Sequence, residues 1–374
     1  MKDNSLNSNK NSPEKCCSDN PTVLNDAQRF FLDHGISNLP VHSDKAIGWR
    51  CRAKLAVRGS TTHPLIGLFK EGTHDVLEIP HCEAHHPKIN EAVELVRDFM
   101  ISEKIQPYDE KSLQGAIRYL QFVIHRPSNK VQLTIVMNSK QGSQSNFPWL
   151  EKLWNLGKEN LWHSLWLNFN PRSTNTIFGP DWQPCYGPEW LWETFDNTSV
   201  CFHPSSFAQA NLDLFEKMIV HIKKIILSHN RVAEYYAGVG VIGLCLVEKA
   251  QRIECCEINS MAKICFELSR SKLEPALAEK IAFHESFAGK RLDLLNDAEI
   301  VIVDPPRKGL EAPLLKALKS ASLKQLIYIS CGWDSFQKDC LELLQGGWKI
   351  QEAHVYLLFP GSEHIETLTV FVKD

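Results

Sequence analysis

No apolar run in the 374-residue chain approaches the ~20 residues that a helix needs to cross a bilayer. The N-terminal stretch MKDNSLNSNKNSPEKCCSDNP has neither the apolar core of a secretory signal nor the arginine-rich, acid-poor character of a transit peptide. The chain is therefore expected to be cytoplasmic, with residues 1–25 a disordered polar tail and no membrane association. C-x-x-C spacing is missing from its 12 cysteines, which scatter among periodic apolar segments and include the vicinal pairs Cys16-Cys17 and Cys255-Cys256. A chain this large needs no disulfide staples, so reduced thiols are expected. Positive charge is not in excess either: 41 Lys and Arg stand against 44 Asp and Glu, a formal net charge of −3 at pH 7. Any nucleic acid must then be held by a local patch. No internal repeat is present. What remains, 43% hydrophobic and 23% charged residues, describes a globular chain long enough for two domains.

The texture changes near the middle. From Trp49 to about Glu193 the runs are short and strand-like (WRCRAKLAV, RYLQFVIHRP, KVQLTIVMN, LWLNFN), with helical patterns at HPKINEAVELVRDFM and FPWLEKLWNLG. This mixture predicts an α+β domain over residues 26–195 with antiparallel strands. Beyond it, RVAEYY, RIECCE, KIAFHE, AEIVIVD and QLIYIS alternate with helical segments, which predicts parallel β-α-β units in a doubly wound, Rossmann-like sheet over residues 196–374. The last two strands, WKIQEAHVYLLF and ETLTVFVKD, leave almost no room for a helix between them and are expected to pair antiparallel.

The first turn of that second domain, in EYYAGVGVIGL, places Gly238, Gly240 and Gly243 in G-x-G-x-x-G spacing after Glu234, Tyr235 and Tyr236. Such glycines let a backbone turn tightly and approach a ligand at a helix N-terminus. Glu257 ends the next strand, close to the ~20-residue spacing at which an acid meets ribose hydroxyls. The fingerprint alone leaves a nicotinamide cofactor and S-adenosylmethionine both open. Glu234 favours the latter, because it suits a cationic amino-acid end and would repel a diphosphate. So do the rigid VDPPRKG segment after the fourth strand, with Asp304 and Arg307, and the antiparallel final pair.

One apolar run, LIYISCGWDS, stops at Ser330, Cys331 and Gly332. A cysteine there is by default a small buried side chain. Together, however, HPSSFAQAN, EYYAGVGVIGL, DPPRKGL, YISCGW and FPGSEHIE resemble, in order and spacing, the S-adenosylmethionine-dependent RNA uridine-C5 methyltransferases that make 5-methyluridine in tRNA and ribosomal RNA. The resemblance runs from about Trp49 to the C-terminus and is strongest from Phe202 onward. It implies a methyltransferase fold and S-adenosylmethionine as cofactor, contacted by Gln209, Glu234, Tyr236, Gly238, Gly240, Glu257 and Asp304. It also implies Cys331 as nucleophile, Glu366 as general base and Asp304 beside the target base, with a loop uridine of tRNA or rRNA as partner and a monomeric enzyme. Uracil C5 is too weak a nucleophile to take a methyl group until a thiolate adds at C6, and a base must later remove the C5 proton. A thiol with a reference pKa of ~8.5 is only slightly ionised at neutral pH, and its surroundings are expected to help.

Departures from the family pattern are visible. Gly332 and Trp333 replace the usual Asn-Pro, and Trp333 has two readings, a stacking face for a flipped base or packing. Gly361 stands where the family often has histidine, and Cys82 lacks the companions of an iron-sulfur motif, so no cluster is expected. His81, Cys82, His85 and His86 have zinc-like ligand types but no second ligand pair, and no metal is expected. Along KAIGWRCRAKLAVRG, the residues Arg50, Arg52 and Lys54 fall on one face of a strand and are expected to track RNA phosphates. Two rival readings remain: a nicotinamide-dependent oxidoreductase, and a non-catalytic RNA-binding protein that retains the fold.

Overall fold

The computed structural model describes residues 21–79, 81–141, 147–174, 176–226 and 228–373; residues 1–20, most of the expected polar tail, lie outside them. The chain opens with α1 (Thr22–Asp33) and a short strand β1 (Val41–His42). There follow β2 (Arg52–Gly59), β3 (Pro64–Phe69), β4 (Val76–Glu78), α2 (Pro87–Ser102), β5 (Ile117–His125), β6 (Lys130–Met137), α3 (Pro148–Gly157), β7 (Trp162–Phe169) and β8 (Asp181–Tyr186). These strands form one sheet in the order β4-β3-β2-β5-β6-β7-β8. Only β6 and β7 run parallel within it, and α3 supplies the crossover that a parallel pair requires. Helix α2 contributes Ile89, Val93, Val96 and Met100, one stripe at helical spacing, to the core of this unit.

A hairpin of β9 (Leu191–Phe195) and β10 (Thr198–Phe202) leads into the second unit. Its turn residues Asp196 and Asn197 both take positive φ, the conformation that matches the twist of a two-residue hairpin. The expected domain division at 195/196 thus falls at the tip of a hairpin whose strands pair as one piece. The second unit comprises α4 (Leu212–Ile225), β11 (Arg231–Tyr235), α5 (Val241–Leu246), β12 (Arg252–Glu257), α6 (Ser260–Arg270), α7 (Pro275–Ala278) and β13 (Ile281–Glu285). It continues through β14 (Ile300–Val303), α8 (Ala312–Ser320), β15 (Gln325–Ser330), α9 (Trp333–Gln345), β16 (Lys349–Tyr356) and β17 (Glu366–Val372).

The second sheet has the order β1-β16-β17-β15-β14-β11-β12-β13. Strands β11 to β15 are mutually parallel, whereas β17 is antiparallel to both β15 and β16, as expected from the short final connection. Side chains alternate across it. Val232, Ile300, Ile302 and Ile327 face α4, α5 and α6, while Ala233, Val301, Val303 and Leu326 face α1, α8 and α9. The first of these apolar clusters is continuous with the core of the α+β unit, so the two sheets share a buried base.

The N-terminal boundary differs from expectation. Thr22 to Asp33 is helix, not tail, and both α1 and β1 belong to the second unit. Phe31 is fully buried against Trp333 and Phe336, and β1 pairs parallel with β16, with the Val355 amide donating to Pro40 O at 2.9 Å. Burial of a phenylalanine of this kind is worth ~2–3 kcal/mol, enough to outweigh the polar composition around it.

Candidate active site

Because β11, β12, β14 and β15 are parallel, the loops after Tyr235, Glu257, Val303 and Ser330 leave one edge of the sheet together. The winding reverses between β11 and β14, where an open α/β sheet leaves a crevice. A cavity of about 820 Å³ occupies it, lined among others by Gln209, Tyr236, Gly238, Glu257, Asp304, Cys331 and Glu366. Residues distant in the sequence and expected to work together do meet.

At one end lies the glycine turn. Gly238 has φ +55 with open space where a Cβ would project, and its amide donates to Glu257 Oε2 at 3.2 Å. Glu257 Oε1 accepts from the amides of Ile258 and Asn259 at 2.8 and 3.0 Å, which fixes the carboxylate at the cavity wall. Gly240 is not among the lining residues of the cavity; at φ +79, a Cβ there would sit 2.5 Å from the Phe266 ring, so this glycine lets α5 start against α6. Tyr236 is in the left-handed region at φ 60 and its hydroxyl accepts from the Glu311 amide at 3.1 Å. Glu234 is 3% exposed and lines a smaller adjoining pocket with Gln209, Tyr236, Gly238 and Asp304. Its Oε2 accepts from the Gly243 amide at 2.8 Å, yet burial pushes the carboxyl up to about 8.

At the other end is Cys331. Strands β15 and β17 pair Ser330 with Thr367, so the next rung of this antiparallel ladder sets Cys331 opposite Glu366. Helix α9 begins immediately afterwards. Gly332 caps it, and a Cβ there would lie 2.4 Å from the Arg307 carbonyl oxygen, so the D-P-P-R loop presses on the turn that carries the thiol. Ser335 Oγ donates to the same carbonyl.

Cys331 is partly exposed, but the surroundings do not favour its thiolate. Burial pushes the thiol up to about 12, with Glu366 and Asp304 adding to the effect and Arg307 opposing it. Burial likewise pushes Asp304 up to about 7. Glu366, 1% exposed, is raised well above the ordinary carboxyl range by burial and by Asp304, and its Oε1 has no hydrogen-bond partner among the described residues.

The basic row divides. Its alternation is correct, with Trp49, Cys51, Ala53, Leu55 and Val57 buried on the opposite face. Arg52, however, donates to the backbone oxygens of Ser206 and Pro204 at 2.6 and 3.1 Å. It anchors the HPSSFAQAN loop rather than presenting its charge to a phosphate, because that loop folds back over the strand. Arg50 is half-buried, its guanidinium 4.8 Å over Trp49 and 5.8 Å from the ring of Phe359, a cavity residue. Lys54 is exposed over Phe178.

Trp333 packs against Phe30, Phe31 and Phe336 with ring centroids 5.5 to 5.9 Å apart, which selects packing over base stacking. His81 pairs with Glu94 at 3.2 Å, His86 accepts from the Lys88 amide at 3.3 Å and His85 is buried beside Arg50, so these side chains do not converge on a common point. Phe207, Phe287 and Phe359 also line the cavity, together with Arg307 and Lys308. Phe207 is 71% exposed. Phe207, Phe359 and the two cations lie inside motifs recognised in the sequence; Phe287 carries no local signal.

Residues 195–374 match the family model described as tRNA (Uracil-5-)-methyltransferase. A protein of Protochlamydia amoebophila, named as an uncharacterized RNA methyltransferase, is 48% identical over 337 residues, covering 89% of this chain and 88% of that one. The 23S rRNA (uracil(747)-C(5))-methyltransferase RlmC of Xenorhabdus nematophila is 26% identical over 354 residues, covering 93% and 90%. The crystal structure of the Pyrococcus abyssi tRNA (uracil-54, C5)-methyltransferase with S-adenosyl-L-homocysteine shares the fold, with a TM-score of 0.76 at 22% identity over 92% of this chain and 81% of that chain. With the glycine turn, the D-P-P-R loop and the cysteine gathered on one cavity, the chain belongs to the family of S-adenosylmethionine-dependent RNA (uracil-5-)-methyltransferases.

Proposed function

We propose that this chain methylates C5 of a loop uridine in structured tRNA or rRNA through a covalent bond between Cys331 and C6 of the base. The observation that carries the reading is the single cavity with Gln209, Tyr236, Gly238 and Glu257 at one end and Asp304, Cys331 and Glu366 at the other. S-adenosylmethionine supplies an electrophilic methyl group. Glu257, on the cavity wall, suits ribose hydroxyls, and the acids Glu234 and Asp304 suit a cationic amino-acid end.

Cys331, which is partly exposed, releases its proton to solvent and its thiolate forms the sulfur–C6 bond, pushing the C5–C6 π pair toward C5 so that this carbon can take the methyl group. Glu366, as carboxylate, then accepts the C5 proton; the C6–sulfur bond breaks and the double bond is restored. A carboxyl whose protonated form is favoured by burial is a strong proton acceptor once ionised. The exposed rings of Phe207 and Phe287 are suited to stack on a base taken out of its helix, and Arg50, Arg307 and Lys308 to meet phosphates. We further propose that no iron-sulfur cluster takes part, with Cys82 a lone thiol; an iron-sulfur absorption band after anaerobic purification would contradict this.

The test is incubation of the protein with labelled S-adenosylmethionine and unmodified total RNA, followed by nucleoside mass spectrometry and RNA fractionation, with Cys331→Ala in parallel. Label in 5-methyluridine that disappears in the variant is expected. Label in another nucleoside, or equal product from Cys331→Ala, would overturn the assignment.

A further inference from the structure

We propose that His42, His221 and His354 bind a divalent transition-metal ion of the zinc class, at a site separate from the methyl-transfer cavity. The three come from β1, α4 and β16, and each offers one ligand atom such that all lie within 4.8 Å of one another. No other group of this kind occurs among the described residues. None of the three lines the methyl-transfer cavity.

The approach of these rings is close. Centroids of His221 and His354 are 4.2 Å apart and those of His42 and His354 5.2 Å, with His42 Nε2 only 3.0 Å from His354 Nδ1. Zinc held by imidazoles at ~2.0–2.1 Å places its ligand nitrogens roughly 3.4 Å apart in a tetrahedron, so changes in separation of up to about 1.4 Å, within reach of ring rotation, close the site.

One outward nitrogen is already engaged in the manner of a ligand held by a supporting group, and a second has a carboxylate nearby. His221 Nδ1 is 2.8 Å from the Tyr356 hydroxyl, which leaves Nε2 for an ion. His354 Nε2 is 3.8 Å from Glu352 Oε2, which leaves Nδ1 facing His42. Carboxylate or hydroxyl partners of this kind fix ring orientation at metal centres. The Tyr356 ring also stacks on His42 at 4.5 Å.

Access exists as well. A cavity of about 530 Å³ reaches one member of the group, His221, and is lined also by Glu352, Lys224 and Lys324. An ion here would tie β1 to α4 and β16, and with β1 the α1 segment that packs on Trp333 behind Cys331.

The experiment uses the untagged, metal-stripped full chain, dialysed against zinc chloride and, separately, cobalt chloride. One zinc per chain is expected, with the visible band of tetrahedral Co²⁺ and a melting temperature that rises with zinc. His221→Gln and His354→Ala are each expected to weaken zinc binding at least tenfold, whereas His81→Ala leaves it unchanged. His221→Gln retains a side chain able to bond Tyr356, and its melting in EDTA should match the parent, so its loss of zinc reports the ligand rather than the fold. Absence of saturable binding, or binding undiminished in both His221→Gln and His354→Ala, overturns the proposal.

Discussion

Replacing Glu234 with glutamine tests whether the acids around the cavity are held in their neutral form. Glu234 is 3% exposed, and burial pushes its carboxyl from 4.5 up to about 8. A raised folded-state pKa means that the native protein keeps its proton while the unfolded chain releases it. The associated stability is present in full below about pH 4.5 and is lost as pH rises through about 8. At ~1.4 kcal/mol per pH unit, the loss between about pH 5 and about pH 7.5 comes to about 3 kcal/mol. Glutamine has no proton to lose, and its carbonyl oxygen can still accept from the Gly243 amide, now 2.8 Å from Glu234 Oε2. Urea unfolding of parent and Glu234→Gln across this range should therefore show the variant gaining about 3 kcal/mol relative to the parent as pH rises. Asp304 and Glu366 add slopes of the same sign but occur in both proteins, so the difference reports Glu234 together with its coupling to Asp304. Parallel stability curves would mean that Glu234 ionises normally in the folded protein, and the burial argument would fail.

Glu366→Gln imitates the neutral carboxyl that burial favours, so folding at neutral pH should be preserved while turnover falls ~10²–10⁴-fold; a denaturing gel should show protein–RNA adduct accumulating, and normal turnover would exclude the base role. Alkylation of Cys331 by iodoacetamide, followed by peptide mass mapping, should accelerate about tenfold per pH unit through pH 9 without levelling, because the thiol is pushed up to about 12. A plateau near the reference ~8.5 would refute this. Arg52→Gln removes charge-assisted bonds of roughly 1.5–3 kcal/mol each from the Pro204–Ser206 loop. Cofactor affinity measured by calorimetry should fall while the salt slope of RNA binding stays constant; the opposite pattern would restore Arg52 as a phosphate contact. Gly332→Asn, the residue commonly found in the family, should cost about 1–3 kcal/mol in thermal melts, because its Cβ would meet the Arg307 carbonyl oxygen at 2.4 Å. An unchanged melting temperature would show that the D-P-P-R loop yields freely.

The parallel sheet was legible because its strands are buried on both faces and read as apolar runs, as in the wholly buried Ile300–Val303. The convergence of Asp304, Cys331 and Glu366 came through motif resemblance, since nothing in local periodicity tells which strand lies beside which. Strand β1 was invisible for the same reason: two residues carry no pattern, and its pairing with β16 is non-local. Alternation found the right faces for Arg50, Arg52 and Lys54 but not what covers them. Only the fold brings the Pro204–Ser206 backbone over Arg52 and α1 over Trp333. Three histidines on β1, α4 and β16 likewise share no sequence spacing.

Charge is the other property that required the fold, and it bears directly on the cofactor. Glu234 and Asp304 border one small pocket, and Asp304 raises the pKa of Glu234, of Cys331 and of Glu366. Against them Arg307 favours the charged forms of Cys331 and Glu366, and it is exposed, where water weakens its effect. Burial first, and these acids next, favour the thiol form of Cys331. A positively charged ligand near Asp304 opposes these tendencies: it lowers the pKa of the carboxyls and of the thiol together, without any residue moving. A diphosphate would do the reverse and push all of them further up. The same buried acids that disfavour a dinucleotide therefore suit a sulfonium cofactor, and in the proposed reaction they would tie activation of Cys331 to occupancy of the site that supplies the methyl group.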